Sequence, residues 1–345
     1  MISGDNGDAE ADFRAAPVVV DVDVPGLNPV EYFVPFSEPL DPEGSANWLD
    51  EIDRPLRTPT ASAESLAAAR ELADSSRRRI DTPVRKSFVR PRTSSSNPVA
   101  PLADIYRGGR SGVVAVKLYL ALLWRCSTEP FSTDKPARAW ATLLDLEDPE
   151  GNGTRRVKSA LRILERAQLI QLTAQPGYPN VVTLLDESGT GRSYTLPSTA
   201  YTFAARNAGR RAQQSDAVLS NTYFKVPQQL WRKGFIQTLS GPGLVMLLIL
   251  LAEQGGEGSE VWFSTDEFPQ RYNISHKTRA AGTKELVELG LLAVEAENVG
   301  VRTRSTFDVR RRRKVYRLTP RAQAAPAERV TPTSTRRRKR KPTQA

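Results

Sequence analysis

Residues 275–297 read SHKTRAAGTKELVELGLLAVEAE, and the hydrophobic period changes inside this stretch. Between residues 277 and 292, Gly282, Leu286 and Leu289 recur at three- and four-residue spacing, which predicts an amphipathic helix that ends in an apolar pair. Between residues 293 and 297 apolar and acidic residues alternate, which predicts a strand. The stretch therefore indicates a helix that runs directly into β-structure.

The surrounding elements predict a small α+β unit. An apolar helix over residues 244–253 and a short amphipathic helix over residues 267–274 precede the stretch, and a second strand over residues 315–318 follows an arginine-rich tip. A short strand over residues 261–263 is expected to pair with this hairpin. The segment 223–318 is therefore expected to contain three helices and a β-hairpin.

The same order of elements is predicted upstream, in the segment 105–185. Its helices are expected over residues 113–124, 137–146 and 155–170, and its strands over 171–175 and 181–185. The tetrapeptide Phe-Ser-Thr-Asp occurs in both segments, at residues 131–134 and 263–266. In the second segment, Ser264 and Glu267 have the spacing of a capping box, and in the first, Ser132 or Asp134 is expected to cap alone. A catalytic serine would need a base at a matching place in both copies, so the repeat is interpreted as a structural mark.

The second segment resembles the recognition-helix pattern of winged helix-turn-helix proteins, including GntR-type regulators. The residues that carry the resemblance are Ser275, Thr278, Gly282, Leu286, Gly290 and Leu291, with Arg279 between them. The resemblance implies two winged-helix domains in tandem, more weakly in the first segment, and a fold that is mainly α with small β-hairpins. It also implies that the face opposite Gly282, Leu286 and Leu289 enters the major groove of DNA.

Arg279 departs from the family pattern, which has an apolar residue there, and is expected to tilt the helix or to reach a phosphate.

The residues expected to contact DNA follow from that resemblance and are mostly basic. On the third helix of the first segment they are Arg155, Arg156, Lys158, Ser159 and Arg162. On the third helix of the second segment they are His276, Lys277, Thr278 and Lys284, with Ala280 and Ala281 on the same face. On the second hairpin they are Arg302, Arg304, Arg310, Arg311, Arg312, Arg313 and Lys314.

The remaining segments have compositions typical of tails and linkers. Residues 1–104 are expected to be mostly disordered, with one helix over 61–73, and residues 186–222 are expected to form a linker. Residues 319–345 are expected to be a disordered basic tail that ends in Arg336-Arg-Arg-Lys-Arg-Lys341 and binds phosphates without sequence preference.

Charge is distributed unevenly along the chain. The 345 residues carry a net charge of +10, whereas residues 1–53 hold 13 acidic side chains and only Arg14, a net of −12. The rest of the chain must then carry +22, which indicates a polyanionic partner. The longest apolar run, residues 243–252, is about half the length needed to cross a bilayer, so a cytoplasmic protein without a membrane partner is expected.

The sequence argues against an enzyme and against bound cofactors or metals. One histidine, His276, and one cysteine, Cys126, cannot form a zinc site, and no phosphate-binding loop motif is present. A rolling-circle nicking enzyme would need paired histidines. Cys126 lies among apolar residues and is interpreted as a core residue.

Double-stranded DNA is therefore the expected partner, and three functions remain open. Two unlike winged helices are similar to the architecture of plasmid replication initiators that bind origin repeats, and this function is favoured. The alternatives are a transcriptional regulator and a scaffold associated with the bacterial nucleoid, which binds DNA by charge alone. The sequence leaves open a homodimer and a protein partner for the acidic N-terminal arm.

Overall fold

The computed structural model describes residues 56–75, 81–91, 99–107, 109–209, 215–254, 259–299 and 311–323, with the backbone alone at 298, 299, 311 and 312. Over these residues the chain is a mixed α+β protein, largely helical with small antiparallel sheets, as expected. Residues 1–55 and 324–345 lie outside the described residues, as do Arg302, Arg304 and Arg310.

Helices and short strands alternate along the chain. The helices are α1 (Ala63–Ser75), α2 (Pro101–Tyr106), α3 (Gly109–Arg125), α4 (Ala137–Leu143), α5 (Asn152–Arg166), α6 (Pro197–Ala208), α7 (Asp216–Ser220), α8 (Gln228–Arg232), α9 (Phe235–Thr238), α10 (Gly241–Glu253), α11 (Glu267–Tyr272) and α12 (His276–Glu288). The strands are β1 (Thr82–Arg85), β2 (Ser132–Thr133), β3 (Ile170–Thr173), β4 (Val181–Leu184), β5 (Tyr223–Val226), β6 (Val261–Trp262), β7 (Leu292–Val299) and β8 (Arg311–Leu318).

Two parts of the chain share one order of elements. The first unit consists of α3, β2, α4, α5, β3 and β4, and the second unit of α10, β6, α11, α12, β7 and β8. In each unit an antiparallel three-stranded sheet places the last strand between the other two, in the orders β2-β4-β3 and β6-β8-β7. The helices and hairpins predicted for both units are present, within a few residues at each end.

The opening helix of each unit is buried on nearly all sides. The residues from Val114 to Trp124 in α3 and from Gly243 to Ala252 in α10 are almost without contact with solvent. A helix that is apolar all round is stable only inside a protein, so both helices form the centre of the fold. Their buried residues belong to one continuous apolar cluster, so the two units share a core.

A junction of buried side chains joins the units. The rings of Trp124 and Trp231 stack with centroids 5.9 Å apart, and the Lys117 ammonium donates a 2.7 Å hydrogen bond to the carbonyl oxygen of Gln237. Burial lowers the pKa of Lys117 from 10.5 to about 8, while the charges of Glu285 on α12 and Arg156 on α5 act on it in opposite directions. Both third helices therefore approach this junction.

Three stretches of the N-terminal region belong to the folded core, although residues 1–104 were predicted to be mostly disordered. Ser62 caps α1 by accepting a hydrogen bond from the Ser65 amide (3.2 Å), and α1, the helix that was predicted, packs on α4 and α8. Strand β1 pairs with β5, from Thr82↔Val226 to Arg85↔Tyr223. The four β1 residues are buried, but they include a proline and an arginine and show no apolar alternation, so periodicity did not reveal the strand.

The region predicted as a linker, residues 186–222, contains α6 and α7 in its described parts, 186–209 and 215–222. Its order depends on the buried side chain of Glu187, which forms an ion pair with the equally buried Arg85 of β1. Arg85 also donates to the Thr195 carbonyl (2.9 Å) and to the Asn221 side chain (3.2 Å). The glycines and polar residues of this region are typical of a linker. The region is nevertheless folded, because polar contacts with residues far away in the sequence hold it in place.

The repeated Phe-Ser-Thr-Asp tetrapeptide lies at or beside corresponding strands, and α4 of the first unit does not begin with the predicted Ser132 or Asp134 cap. Ser132 and Thr133 form β2, whereas in the second unit β6 ends at Trp262, just before the tetrapeptide. The N-cap residues of α4 and α11 are Pro136 and Asp266, and neither makes a side-chain cap hydrogen bond. The predicted pairing of β6 with the hairpin is confirmed by Val261↔Tyr316.

Candidate nucleic-acid interface

Helix α5 has one apolar face and one basic face. Val157, Ala160 and Leu164 are fully buried against the core. On the opposite side Ser159 is half-buried and the other four predicted residues, Arg155, Arg156, Lys158 and Arg162, are exposed. None of these four cations forms an ion pair with a carboxylate of the described residues. The predicted face is thus brought together as a compact group of positive charge.

The start of α5 is capped from within the chain. The Asp148 carboxylate accepts hydrogen bonds from the amides of Gly151 (3.1 Å) and Asn152 (2.9 Å). An anion at this place satisfies helix N-terminal amides and interacts favourably with the helix dipole. The helix end therefore has its own carboxylate, and any anion that binds α5 meets side chains rather than these two amides.

Helix α12 is capped by Ser275, whose hydroxyl accepts from the Thr278 amide (3.2 Å). His276, Lys277, Ala280, Ala281 and Lys284 are exposed and Thr278 is half-buried, so the predicted outward face is again on one side. This face differs from that of α5 because two alanines occupy its middle.

The inner face of α12 lies on α10 at close range. A Cβ atom built on Gly282 would lie 2.3 Å from the Pro242 carbonyl oxygen and 2.8 Å from the Met246 Cβ, so only glycine fits without a shift. Leu286 and Leu289 are fully buried on the same side. The predicted orientation of α12, with Gly282 inward, is confirmed.

Glu285 joins elements at the interface, and its role was not predicted from the sequence. It accepts a 2.9 Å hydrogen bond from the amide of Ser240, the N-cap residue of α10, and another from the Ser240 hydroxyl. The Arg57 guanidinium lies 3.3 Å from Glu285, so the carboxylate ties α12, α10 and the N-terminal region together. A glutamate beside Leu286 on the apolar side of the helix was the available signal.

Arg279 was expected to tilt the helix or to reach a phosphate, but its side chain packs within the second unit. Its guanidinium lies 4.9 Å from the Phe268 ring centroid, 5.3 Å from that of Phe263 and 5.5 Å from that of Tyr316. It also donates a 3.0 Å hydrogen bond to the Tyr316 hydroxyl. The aromatic rings supply the attraction that an apolar neighbour would otherwise give, so the arginine belongs to the packing of the second unit.

The described part of the second hairpin holds its cations in pairs. Arg313 lies 3.0 Å from Glu297 and 5.1 Å from the Trp262 ring centroid, and Arg317 pairs with Glu295 and Glu260. Lys314 is exposed. The side chains of Arg311 and Arg312 lie outside the described part of the chain, as does the rest of the tip. Arg313 is therefore held by contacts within the hairpin, which weakens the prediction that it contacts DNA.

The first hairpin contrasts with the second. Residues 170–185 contain no charged side chain, and Tyr178 at the turn is 77% exposed. The first unit therefore carries its positive charge on the helix and not on the hairpin.

Other candidate chemistry is sparse in the described part of the chain. No group of three or more histidine, cysteine, aspartate or glutamate side chains there could hold a metal ion. Burial raises the pKa of the Cys126 thiol to about 12, as expected for an unreactive core cysteine. No helix within the described ranges is long and apolar enough to cross a bilayer. The chain was also compared with protein-family models, curated proteins and solved structures, and none of the three comparisons gave a match.

Proposed function

We propose that both units are winged helices and that the chain binds double-stranded DNA. Each unit has three helices followed by an antiparallel hairpin, and its first short strand completes a three-stranded sheet beside the last strand. In each unit the third helix has its apolar face in the core and its other face in solvent. This is the arrangement in which a helix can enter a major groove while the core supports it from behind.

The observation that carries the proposal is the unpaired basic face of α5. Four exposed cations within eight residues repel one another, and none of them forms an ion pair with a described carboxylate. DNA phosphates would offset it, because each contact releases a condensed counterion from the duplex. Elsewhere on the described surface, Arg271, Arg313 and Arg317 each form an ion pair.

The two units would contact DNA in different ways. In the first, the cations of α5 bind phosphates and base edges while the uncharged hairpin contributes little charge. In the second, the small residues Ala280 and Ala281 let α12 come close to the groove floor, where alanine can contact thymine methyl groups. The arginine-rich hairpin of the second unit would then contact the backbone.

This division favours a site without two-fold symmetry. A homodimer with one DNA-binding unit per chain requires a palindromic site. Two unlike units in one chain would instead bind one asymmetric sequence. The shared core, with the Trp124–Trp231 stack, would hold the two DNA-binding units at a fixed distance from each other. Asymmetric sites repeated in one direction are the arrangement expected at an origin, so we favour a replication initiator of a plasmid or mobile element over a transcriptional regulator.

The binding proposal is tested by removing two cations from α5. Compared with the wild type, Arg156→Ala with Arg162→Ala is expected to lower affinity for a 30-base-pair duplex in fluorescence anisotropy without lowering the melting temperature. Loss of two phosphate contacts reduces the slope of log affinity against log salt by about 1.8, so the affinity ratio between the proteins shrinks about 12-fold from 50 to 200 mM salt.

The matched control is Arg70→Ala with Arg206→Ala, which removes the same charge from exposed positions on α1 and α6. Equal losses in the two double variants would refute a specific role for α5, since net charge alone would then explain binding. Genomic footprinting separates the functions: direct repeats that support replication indicate an initiator, one operator indicates a regulator, and uniform protection indicates a scaffold.

A further inference from the structure

We propose that the acidic arm, residues 1–53, binds the exposed basic faces of α5 and α12 when DNA is absent and competes with DNA for them. The inference rests on the proposed function for the identity of the competing ligand. It has its own basis in where the arm joins the fold, in its charge and in the unpaired cations on α5.

The arm joins the fold at the back of α12. The Arg57 amide donates a 2.8 Å hydrogen bond to the Glu288 carbonyl, and the Arg57 guanidinium pairs with Glu285 (3.3 Å) and Glu288 (3.6 Å). Leu56 lies against Gly290, where an added Cβ would be 2.8 Å from its Cδ1. The residues that follow the arm are therefore fixed at the C-terminal end of a proposed DNA-binding helix.

The length of the arm is sufficient for it to reach along the exposed face of α12. A random-coil chain of 53 residues would have a root-mean-square end-to-end distance of about 40 Å, and α12 with its 13 residues is about 20 Å long. A tether of this length gives its acidic groups an effective concentration on the order of millimolar near the helix. Weak contacts are sufficient for occupancy at such a concentration.

Charge complementarity supports a contact between the arm and the third helices. The arm has a net charge of −12, and the four exposed cations of α5 have no described carboxylate partner. In contrast, the cations Arg90 and Arg271 share Glu253, and Arg317 contacts two glutamates, so an acidic segment gains less there. An arm on α5 and α12 would occupy the same cations that DNA phosphates need.

Zero-length carbodiimide coupling of the full-length protein tests the contact without DNA. The reagent joins carboxylates to lysine amines that touch, and peptide mass mapping identifies the pairs. We expect the arm to couple to Lys158, Lys277 and Lys284, and both 0.5 M salt and a 30-base-pair duplex should suppress this coupling. Exposed Lys225 and Lys233 serve as internal controls. Coupling only to these controls, only to Lys339 and Lys341 of the basic tail, or to no lysine would overturn the proposal.

A charge-neutralised arm tests the competition. The variant is Asp21→Asn, Asp23→Asn, Glu31→Gln, Glu38→Gln, Asp41→Asn and Glu43→Gln. If the arm covers the site in about nine molecules of ten, its release raises DNA affinity about tenfold at 50 mM salt.

The matched control neutralises six exposed acids outside the arm, so that both proteins carry the same net charge. These are Glu64, Glu71, Asp74, Glu129, Asp134 and Glu147. A gain as large in the control as in the arm variant would overturn the competition. If no variant binds DNA, the proposed function fails, while the coupling map still decides whether the arm lies on the basic faces.

Discussion

Replacing Lys117 by methionine should make the protein more stable at neutral pH. Lys117 is 8% exposed, and its ammonium donates a hydrogen bond to the Gln237 carbonyl oxygen at 2.7 Å. Desolvation is the main reason that the pKa of Lys117 falls from 10.5 to about 8, with the charge of Glu285 opposing the shift. At pH 7 the group is therefore still charged inside the junction between the units.

The magnitude follows from the two pKa values. Burial of the ammonium destabilises the folded state by about 3 kcal/mol at pH 7, since one pKa unit corresponds to about 1.4 kcal/mol. Methionine has similar length and removes this penalty, but it leaves the Gln237 carbonyl without its donor, which costs about 1–2 kcal/mol. The variant should thus be about 1–2 kcal/mol more stable than the wild type at pH 7.

The greater stability of the Lys117→Met variant should disappear at high pH. Between about pH 8 and 10.5 the unfolded chain holds a proton on Lys117 that the folded chain has released, so the wild type gains stability as the pH rises. Methionine does not release a proton, so the variant does not gain stability in this way. Above this window the neutral amine keeps its hydrogen bond, and the wild type should become the more stable protein.

The assay is urea unfolding, followed by circular dichroism, of both proteins at pH 7 and pH 10. Lys233→Met, at an exposed position on the α8–α9 turn, is the control and should show the same small difference at both values. A difference between wild type and Lys117→Met that is constant with pH would refute the reasoning. A variant less stable than the wild type at pH 7 would show that the hydrogen bond outweighs burial of the charge.

Three further substitutions test the packing around the proposed interface. Gly282→Ala should destabilise the protein by about 1–3 kcal/mol in urea unfolding and weaken DNA binding, because α12 must move off α10, whereas Ala67→Ser at an exposed position on α1 should change neither. Arg279→Ala should lower the melting temperature, while Arg279→Met retains most of the packing volume and should leave DNA affinity unchanged; a large loss of affinity with methionine would restore the phosphate-binding role. Arg85→Ala should cost about 3–5 kcal/mol in urea unfolding because it leaves the carboxylate of Glu187 buried and unpaired, and a double variant that also contains Glu187→Leu should recover much of that loss.

The sequence predicted the elements whose side chains repeat with a strong period. The helices α5 and α12 and their hairpins were placed within a few residues because one face of each is apolar over several turns. The inward position of Gly282 and the solvent-facing cations of α5 followed from the same periodicity.

The parts that were missed depend on contacts between residues far apart in the sequence. Arg85 is buried only because Glu187, 102 residues later, is buried with it, and neither position reveals this by itself. Arg279 was expected to tilt the helix or to reach a phosphate. Its aromatic neighbours come from β8 and from the segment before α12, so its own position in the sequence did not reveal them. The missing Ser132 cap of α4 shows a similar limit, since spacing alone cannot tell whether a serine starts a helix or lies in a strand.

The pairing of β1 with β5 has a consequence for how the chain is made. Val84 of β1 pairs with Phe224 of β5, and the two strands are separated in the sequence by the whole first unit. At about 5–20 residues per second, β1 leaves the ribosome on the order of 10–30 s before its partner strand. The first unit can therefore assemble during translation, while β1 can acquire its native partner only after residue 226 has emerged. A nascent chain stalled shortly after residue 185 should expose β1 to chaperones and proteases, and one stalled well beyond residue 226 should protect it.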